Sequence, residues 1–189
     1  RFEQVDPRTV RVSGSRHVEV PYTVKLEGAA RVGYRTISIA GVRDPVFIGQ
    51  VESIVDAVRA RIADNFRDIP TDSYSLLFRL YGRNGVMGAL EPHPGTGAHE
   101  LGIVIEAVAP TQALADTICG FARSTMLHYG YPGRVSTAGN LAFPYSPSDL
   151  RAGEVYRFSV YHLLPVEDPV ARFPVHYEAV RPMVRCEAA

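Results

Sequence analysis

The stretch YRTISIAGVRDPVFIGQVESIVDAVRARI, residues 34–62, decides the fold. Its first part, residues 34–42, alternates β-branched or apolar residues with polar ones, which predicts a strand. Asp44 then precedes Pro45, and aspartate is a preferred N-cap residue while proline suits the first position of a helix. From Pro45 to about residue 66 the apolar residues recur at the helical period. The stretch therefore predicts a strand that leads directly into an amphipathic helix.

A similar pattern follows downstream. The nearly continuous apolar runs at residues 74–81 and 101–109 predict two buried strands. Residues 110–129, with Thr111 as N-cap, predict a second helix, and residues 154–164 predict a last strand. The order strand, helix, strand, strand, helix, strand predicts an α+β fold, an α/β sandwich with a ferredoxin-like βαββαβ core.

Both ends of the chain lie outside this core pattern. Two short strands at residues 9–12 and 18–20, around Ser13-Gly14, and an extended piece at residues 21–28 predict an N-terminal β extension. The proline-containing end reads as a segment that wraps around the core. The predicted division is a β extension over residues 1–30, a core domain over residues 31–165 with a long loop before its last strand, and a wrapping tail over residues 166–189.

The composition limits the classes of partner. The chain has 20 basic and 20 acidic residues, so its net charge is zero and it gives no reason to expect nucleic acid or a membrane surface as partner. No apolar run is long enough to span a bilayer. The two cysteines, Cys119 and Cys186, form neither a CxxC motif nor a metal-type spacing, and Cys119 falls in a predicted helix as a small buried residue. These features predict a cytoplasmic protein.

The connection between the second helix and the last strand is the most informative part for function. Residues 128–162 read HYGYPGRVSTAGNLAFPYSPSDLRAGEVYRFSVYH, with many glycines and prolines in the first half. A loop of this length inside a compact domain is usually functional or disordered, and the aromatic content argues against disorder. We therefore predict an ordered loop that builds a site.

The side chains in and near this loop suggest roles. Histidine transfers protons near neutral pH, asparagine can orient a carbonyl or stabilise an oxyanion, and arginine binds carboxylate or phosphate as a fork. The candidate catalytic residues are His128, His162, His99 and Asn140, and the candidate substrate-binding residues are Tyr131, Arg134 and Arg151. The opposing interpretation is a pair of solvated loops whose glycines and prolines only make turns.

Other polar residues are less specific. The polar loop at residues 82–100 could face the long loop, and His93, His99 and Glu100 in it suggest a metal, but their spacing matches no motif with a known mechanism, so no metal site is predicted. Whether the protein uses a cofactor, and which one, is unknown from the sequence. Of the neighbours Tyr161 and His162, one is expected to face inward on the last strand. Glu106, alone in an apolar strand, needs a partner such as Arg79 on a neighbouring strand or an exposed edge.

Several segments carry a resemblance to a known family. TVKLEGAARVGYRTISIAGVRDP (residues 23–45), LYGRNGVMGALEP (80–92), HELGIVIEAVAPTQALADTICGFARSTMLHYGYPGR (99–134) and TAGNLAFPYSPSDLRAGEVYRFSVYHLL (137–164) resemble the C-terminal half of the acyclic terpene utilisation (AtuA-type) family. The phrases HYGYPGR and GNLAFPYSPSD are the most specific. Family members carry a longer α/β N-terminal portion that is absent from these residues.

The resemblance implies bacterial catabolism of acyclic terpenes and related branched carboxylates as acyl-CoA thioesters, and it assigns no catalytic residue. The expectation is a domain or subunit of a catabolic enzyme acting on a branched carboxylate or acyl-CoA, with hydratase or lyase chemistry. Its expected partners are the missing N-terminal domain and further copies of itself in a homo-oligomer. The alternative is a non-catalytic assembly or partner-binding domain. A site loop should line a concave pocket, whereas an interface should present a flat apolar patch.

Overall fold

The structure, a computed structural model, describes residues 1–179; Cys186 and the end of the predicted tail lie outside the described residues. The predicted α+β class is confirmed. The described part of the chain divides into a core unit, residues 29–157, and a second unit made of residues 1–28 and 158–179. The elements in chain order are β1 (Phe2–Asp6), β2 (Thr9–Val12), β3 (Thr23–Val42), α1 (Pro45–Gly49), α2 (Val51–Asn65), β4 (Ser75–Tyr81), a 3₁₀ turn (Gly88–Leu90), β5 (Leu101–Ala109), α3 (Gln112–His128), β6 (Asp149–Pro165) and a second 3₁₀ turn (Val170–Arg172).

A four-stranded sheet in the order β4-β5-β3-β6 forms the base of the core unit. β5 lies between β3 and β4 and is antiparallel to both, with Ile37 of β3 and Leu77 of β4 each opposite Glu106. Residues directly opposite one another across paired strands project to the same face of the sheet. The register therefore fixes which side chains share each face.

The three α-helices of the core unit pack on one face of this sheet. That face supplies the alternate apolar residues of the strands, and the helices supply an apolar stripe that meets them. The buried residues of this layer include Ala40, Val42, Leu80, Ile103, Ile105, Phe47, Ile54, Val58, Ile118 and Met126. The opposite side, called the open face below, carries Arg35, Ile37, Ile39, Leu77, Arg79, Val104, Glu106 and Val108.

Most predicted elements of the core unit are confirmed. Strands β4 and β5 lie where the apolar runs placed them, and Thr111 caps α3 by accepting the N–H of Leu114. Asp44 caps α1 through the N–H of Val46, and Pro45 is the first helical residue. The single predicted helix from Pro45 is wrong, because Gln50 has a non-helical φ of −119° and separates α1 from α2. Its side-chain amide instead binds the carbonyl oxygens of Val46 and Pro132.

Two strands are longer than predicted. β3 merges the predicted extended piece and the strand after it into 20 residues, and β6 begins at Asp149, five residues before the predicted start at Glu154. Pairing of β6 beside β3 extends the strand back to Asp149. The long loop is therefore residues 129–148.

In the second unit, β1 and β2 form an antiparallel hairpin. The predicted strand at residues 18–20 is wrong, and the turn lies between Asp6 and Thr9 and not at Ser13-Gly14. The Asp6 carboxylate accepts the N–H of Arg8, which stabilises that earlier turn. The described part of the predicted tail, residues 166–179, belongs to this unit. Among the described residues, none of the helices combines the length and the apolar character needed to cross a membrane.

Candidate functional site

A buried polar cluster holds the loop 129–148 against the start of α1. Asn140 Nδ2 donates to Asp44 Oδ2 at 2.7 Å and to Tyr131 Oη at 2.6 Å, and the Tyr131 hydroxyl donates to Asp44 Oδ2 at 2.8 Å. Asn140 Oδ1 accepts the N–H of Thr137 at 2.7 Å. Both ends of the Asn140 amide are thus occupied within the fold. Asn140 and Tyr131, predicted as site residues, therefore hold the loop in place through their hydrogen bonds to Asp44.

The pKa values in this cluster favour one protonation state. Burial, assisted by the adjacent Asp44, raises the pKa of the Tyr131 hydroxyl to about 12, so it stays a donor at neutral pH. Burial alone would raise the pKa of Asp44, but hydrogen bonds from Tyr131, from the N–H groups of Val46 and Phe47 and from Asn140 hold that pKa below its ordinary value. Asp44 is therefore the charged acceptor of the cluster.

This lowered pKa predicts a loss of stability in acid. The unfolded chain binds the Asp44 proton more readily than the folded chain, so ionised Asp44 stabilises the fold above its unfolded pKa of about 3.9. That contribution is lost as the pH falls through the lower folded value. We expect urea unfolding at a series of pH values below about 5 to show a shallower pH dependence in Asp44→Asn than in the wild type. The exposed Asp72→Asn serves as control; an unchanged slope in Asp44→Asn would contradict the assignment.

Both arginines predicted to bind substrate make contacts within the fold. Arg134 Nη2 donates to the carbonyl oxygen of Leu127 at 3.2 Å, in the last turn of α3, where helix carbonyls lack partners. Arg151 of β6 forms an ion pair with Asp116 of α3 at 2.8 Å. Burial would raise the pKa of Asp116, but hydrogen bonds from Thr36, Gln112 and Arg151 lower it. Arg134 and Arg151 thus fasten the loop and the last strand to α3.

The three predicted catalytic histidines lie in different settings. His128, the last residue of α3, is exposed and lines a groove of about 710 Å³ beside Arg61 and Asp64 of α2. His99 is exposed just before β5 and does not line that groove. His162 belongs to the second unit. Within residues 1–179 no histidine ring forms a hydrogen bond to another side chain, so none of these histidines is paired with a nucleophile there.

The prediction that either Tyr161 or His162 faces inward is wrong, because both are exposed. The described part of the second unit contains no α-helix of its own.

The residues considered for a metal do not converge. His93 lines a cavity of about 310 Å³ with Arg83 and Glu91, whereas Glu100 lines a different concavity. In the part of the chain that the structure describes, no group of three or more His, Cys, Asp or Glu residues is placed to hold a metal ion. Cys119 is fully buried, as predicted, and burial raises the pKa of its thiol to about 12, which makes it a packing residue.

A concavity of about 450 Å³, called the trough below, lies where the long loop meets the sheet. Gly41 of β3 is opposite Gly102 of β5, and Gly41 exchanges backbone hydrogen bonds with Ala142 at 2.8 and 2.9 Å. Three adjacent positions of the sheet therefore carry nothing larger than a methyl group. The other lining residues are Ile39, Ala40, Val42, Arg43, Glu100, Leu101, Ala138, Gly139, Phe143 and Pro144.

The trough partly fulfils the expectation that the two polar loops meet. The same concavity is lined by Glu100, at the end of the first loop, and by five residues of the second: Ala138, Gly139, Ala142, Phe143 and Pro144. His93 and Arg134 are not among its lining residues. A signal for this site was present in the sequence, because an isolated glycine within a strand pattern marks a bulge or a close approach to the backbone.

An ion-pair triad occupies the centre of the open face. Glu106 accepts from Arg35 Nε at 2.9 Å on one carboxylate oxygen, and from Arg79 Nε and Nη2 at 3.3 and 3.2 Å on the other. The predicted partner Arg79 is confirmed. Arg35 was missed because it precedes Glu106 by 71 residues, and only the order of strands in the sheet brings the two side chains together.

In comparisons with known proteins, no family model, no curated protein and no solved structure matches the chain. The resemblance to the acyclic terpene utilisation family therefore stays a prediction.

Proposed function

We propose that this chain is the ligand-binding domain of a larger catabolic enzyme, and that the trough binds a branched carboxylate or its acyl-CoA thioester. The sequence resemblance supports the catabolic context, and the trough supports the site. In this proposal the chain binds and orients the ligand, while the groups that move protons in a hydratase or lyase reaction come from the rest of the enzyme.

The observation that carries the proposal is that Gly41 and Gly102, which line the trough, have no side chains. Gly41 has no positive φ, and a Cβ placed on it would meet no atom within 4 Å. Neither backbone conformation nor crowding therefore requires glycine there, although glycine inside a strand costs about 0.5–1 kcal/mol relative to alanine. A ligand that lies directly against the backbone at Gly41 would explain why this strand position is glycine despite the loss of stability.

The rim of the trough suggests how a ligand is oriented. Arg43 and Glu100 both line it, and within the described residues neither forms a salt bridge. A guanidinium binds a carboxylate as a fork, and a glutamate accepts from a hydroxyl or amide N–H. The lining between them is mainly apolar, including Ile39, Phe143 and Pro144. A short branched chain with a carboxylate or thioester carbonyl toward Arg43 and a donor toward Glu100 fits this arrangement.

The proposed fold is consistent with such a domain. We infer a ferredoxin-like core, because the order of elements from β3 to β6 is βαββαβ. The first and third strands of that series, β3 and β5, occupy the centre of the sheet.

Filling the trough tests the proposal. We expect isovalerate and isovaleryl-CoA to bind the full chain in calorimetric titrations, and Gly41→Val to weaken binding by about tenfold or more through steric exclusion. Arg43→Gln should remove the preference for isovalerate over the uncharged isovaleramide, because the fork to the carboxylate is lost. Arg61→Gln in the α2–α3 groove is the matched control. Equal affinity in wild type and Gly41→Val, with both proteins folded, would refute the site.

The open face supports a second role, the binding of another protein surface, which corresponds to the alternative expectation of an assembly domain. None of the three triad residues lines the trough, so the two roles can be tested with different substitutions.

A further inference from the structure

The open face has the composition of an interface core. Around Glu106 the register places Ile37 and Leu77 on either side, with Val104 and Val108 before and after it on the same strand. These apolar side chains are half-buried or exposed, and Leu77 retains 40% of its accessible area. Apolar residues with arginines among them, and few other charges, are the composition of protein–protein interface cores.

The charge at the centre of this face is incompletely balanced. The Glu106 side chain is 9% exposed, and each of its two oxygens is already bound by one arginine. The side chains of Arg35 and Arg79 remain 36% and 45% exposed. Each guanidinium has five N–H donors, of which Arg35 directs one and Arg79 two at Glu106. Two positive groups with unused donors thus surround one carboxylate that already accepts three hydrogen bonds, leaving one net positive charge.

The net positive charge of Arg35, Arg79 and Glu106 indicates which kind of protein surface can pack on the open face. A second copy stacked on this face about a twofold axis would bring four guanidinium groups and two carboxylates together. The excess positive charge would be buried at a cost, because desolvation of charges must be repaid by pairing. An apolar surface without charge would likewise strip water from both arginines without offering acceptors.

We infer that the open face docks a different protein surface, one that is apolar and presents a carboxylate to Arg35 and Arg79. A single Asp or Glu at its centre would neutralise the triad and use the free donors of both arginines. The inference does not depend on the trough, because it rests on β3, β4 and β5 residues at and around Glu106.

Selection from a displayed library of short random peptides, with the full chain as target, tests the inference. We expect enriched peptides in which an acidic residue is flanked by apolar ones. Binding of the synthesised peptides should weaken by about tenfold or more in Arg35→Gln, in Arg79→Gln and in Leu77→Asp. Arg61→Gln, an exposed arginine of α2, is the control and should bind as the wild type does.

Two results would overturn the inference. Enriched peptides without acidic residues, or peptides that bind Arg79→Gln and Leu77→Asp as tightly as the wild type, would show that the triad does not select the partner. A concentration-dependent dimer in analytical ultracentrifugation that Leu77→Asp separates into monomers would identify a second copy as the occupant. Circular dichroism of each variant establishes that losses of binding occur in a folded chain.

Discussion

Gly33→Ala is expected to lower the free energy of unfolding by about 3 kcal/mol, although it adds one methyl group. A Cβ built on Gly33 would lie 2.4 Å from the carbonyl oxygen of Ala109 and 3.0 Å from its carbonyl carbon. Those atoms belong to the backbone at the end of β5, where Ala109 pairs with Tyr34. Backbone atoms in a paired strand cannot rotate away as a side chain would. The strands must separate locally. Equilibrium urea unfolding followed by circular dichroism measures the loss.

Gly41→Ala is the matched control, because Gly41 lies in the same strand but has open space where its Cβ would be. We expect its stability to be unchanged or higher by up to about 1 kcal/mol, since alanine restricts the unfolded chain more than glycine does. Equal losses in both variants would show that the strand rejects any side chain, which would also remove the argument that Gly41 keeps the trough open.

Local chemistry explains why much of the fold was predictable. Helix caps depend on neighbouring residues, so Asp44 and Thr111 could be identified directly. Buried strands such as β5 carry a continuous apolar run that reports their position. The break at Gln50 was not predictable in this way, because the apolar period continues across it while the side chain of Gln50 binds Pro132 of the distant loop.

The candidate site was less predictable, because the type of a residue does not determine which groups its side chain contacts in the folded chain. Asn140, Arg134 and Arg151 have the chemistry of site residues, yet each binds a group of the fold. Gly41 and Gly102 become a site only through their pairing across strands, which depends on sheet register. The two glycines are separated by about sixty residues, and a local pattern carries no information about such pairs.

Asn140→Ala is expected to lower the free energy of unfolding by about 3 kcal/mol, because unpaired buried polar groups cost about 1–3 kcal/mol each. Asn140 is 4% exposed. The substitution removes its donated bonds to Asp44 and Tyr131 and leaves the N–H of Thr137 without its acceptor. Urea unfolding measures the loss, and hydrogen exchange should show the greatest loss of protection between residues 131 and 142.

Tyr131→Phe separates the two possible roles of this cluster. The phenylalanine ring retains the edge-on packing against Phe47, whose ring centroid is 5.4 Å away, and loses only the hydroxyl. Its expected loss is about 1 kcal/mol, clearly smaller than that of Asn140→Ala. If Asn140 instead acts on a ligand, Asn140→Ala will keep the stability of the wild type and lose ligand binding. A large stability loss in Asn140→Ala, together with a small one in Tyr131→Phe, means that the amide holds the loop over the trough, and ligand recognition then falls to Arg43 and Glu100.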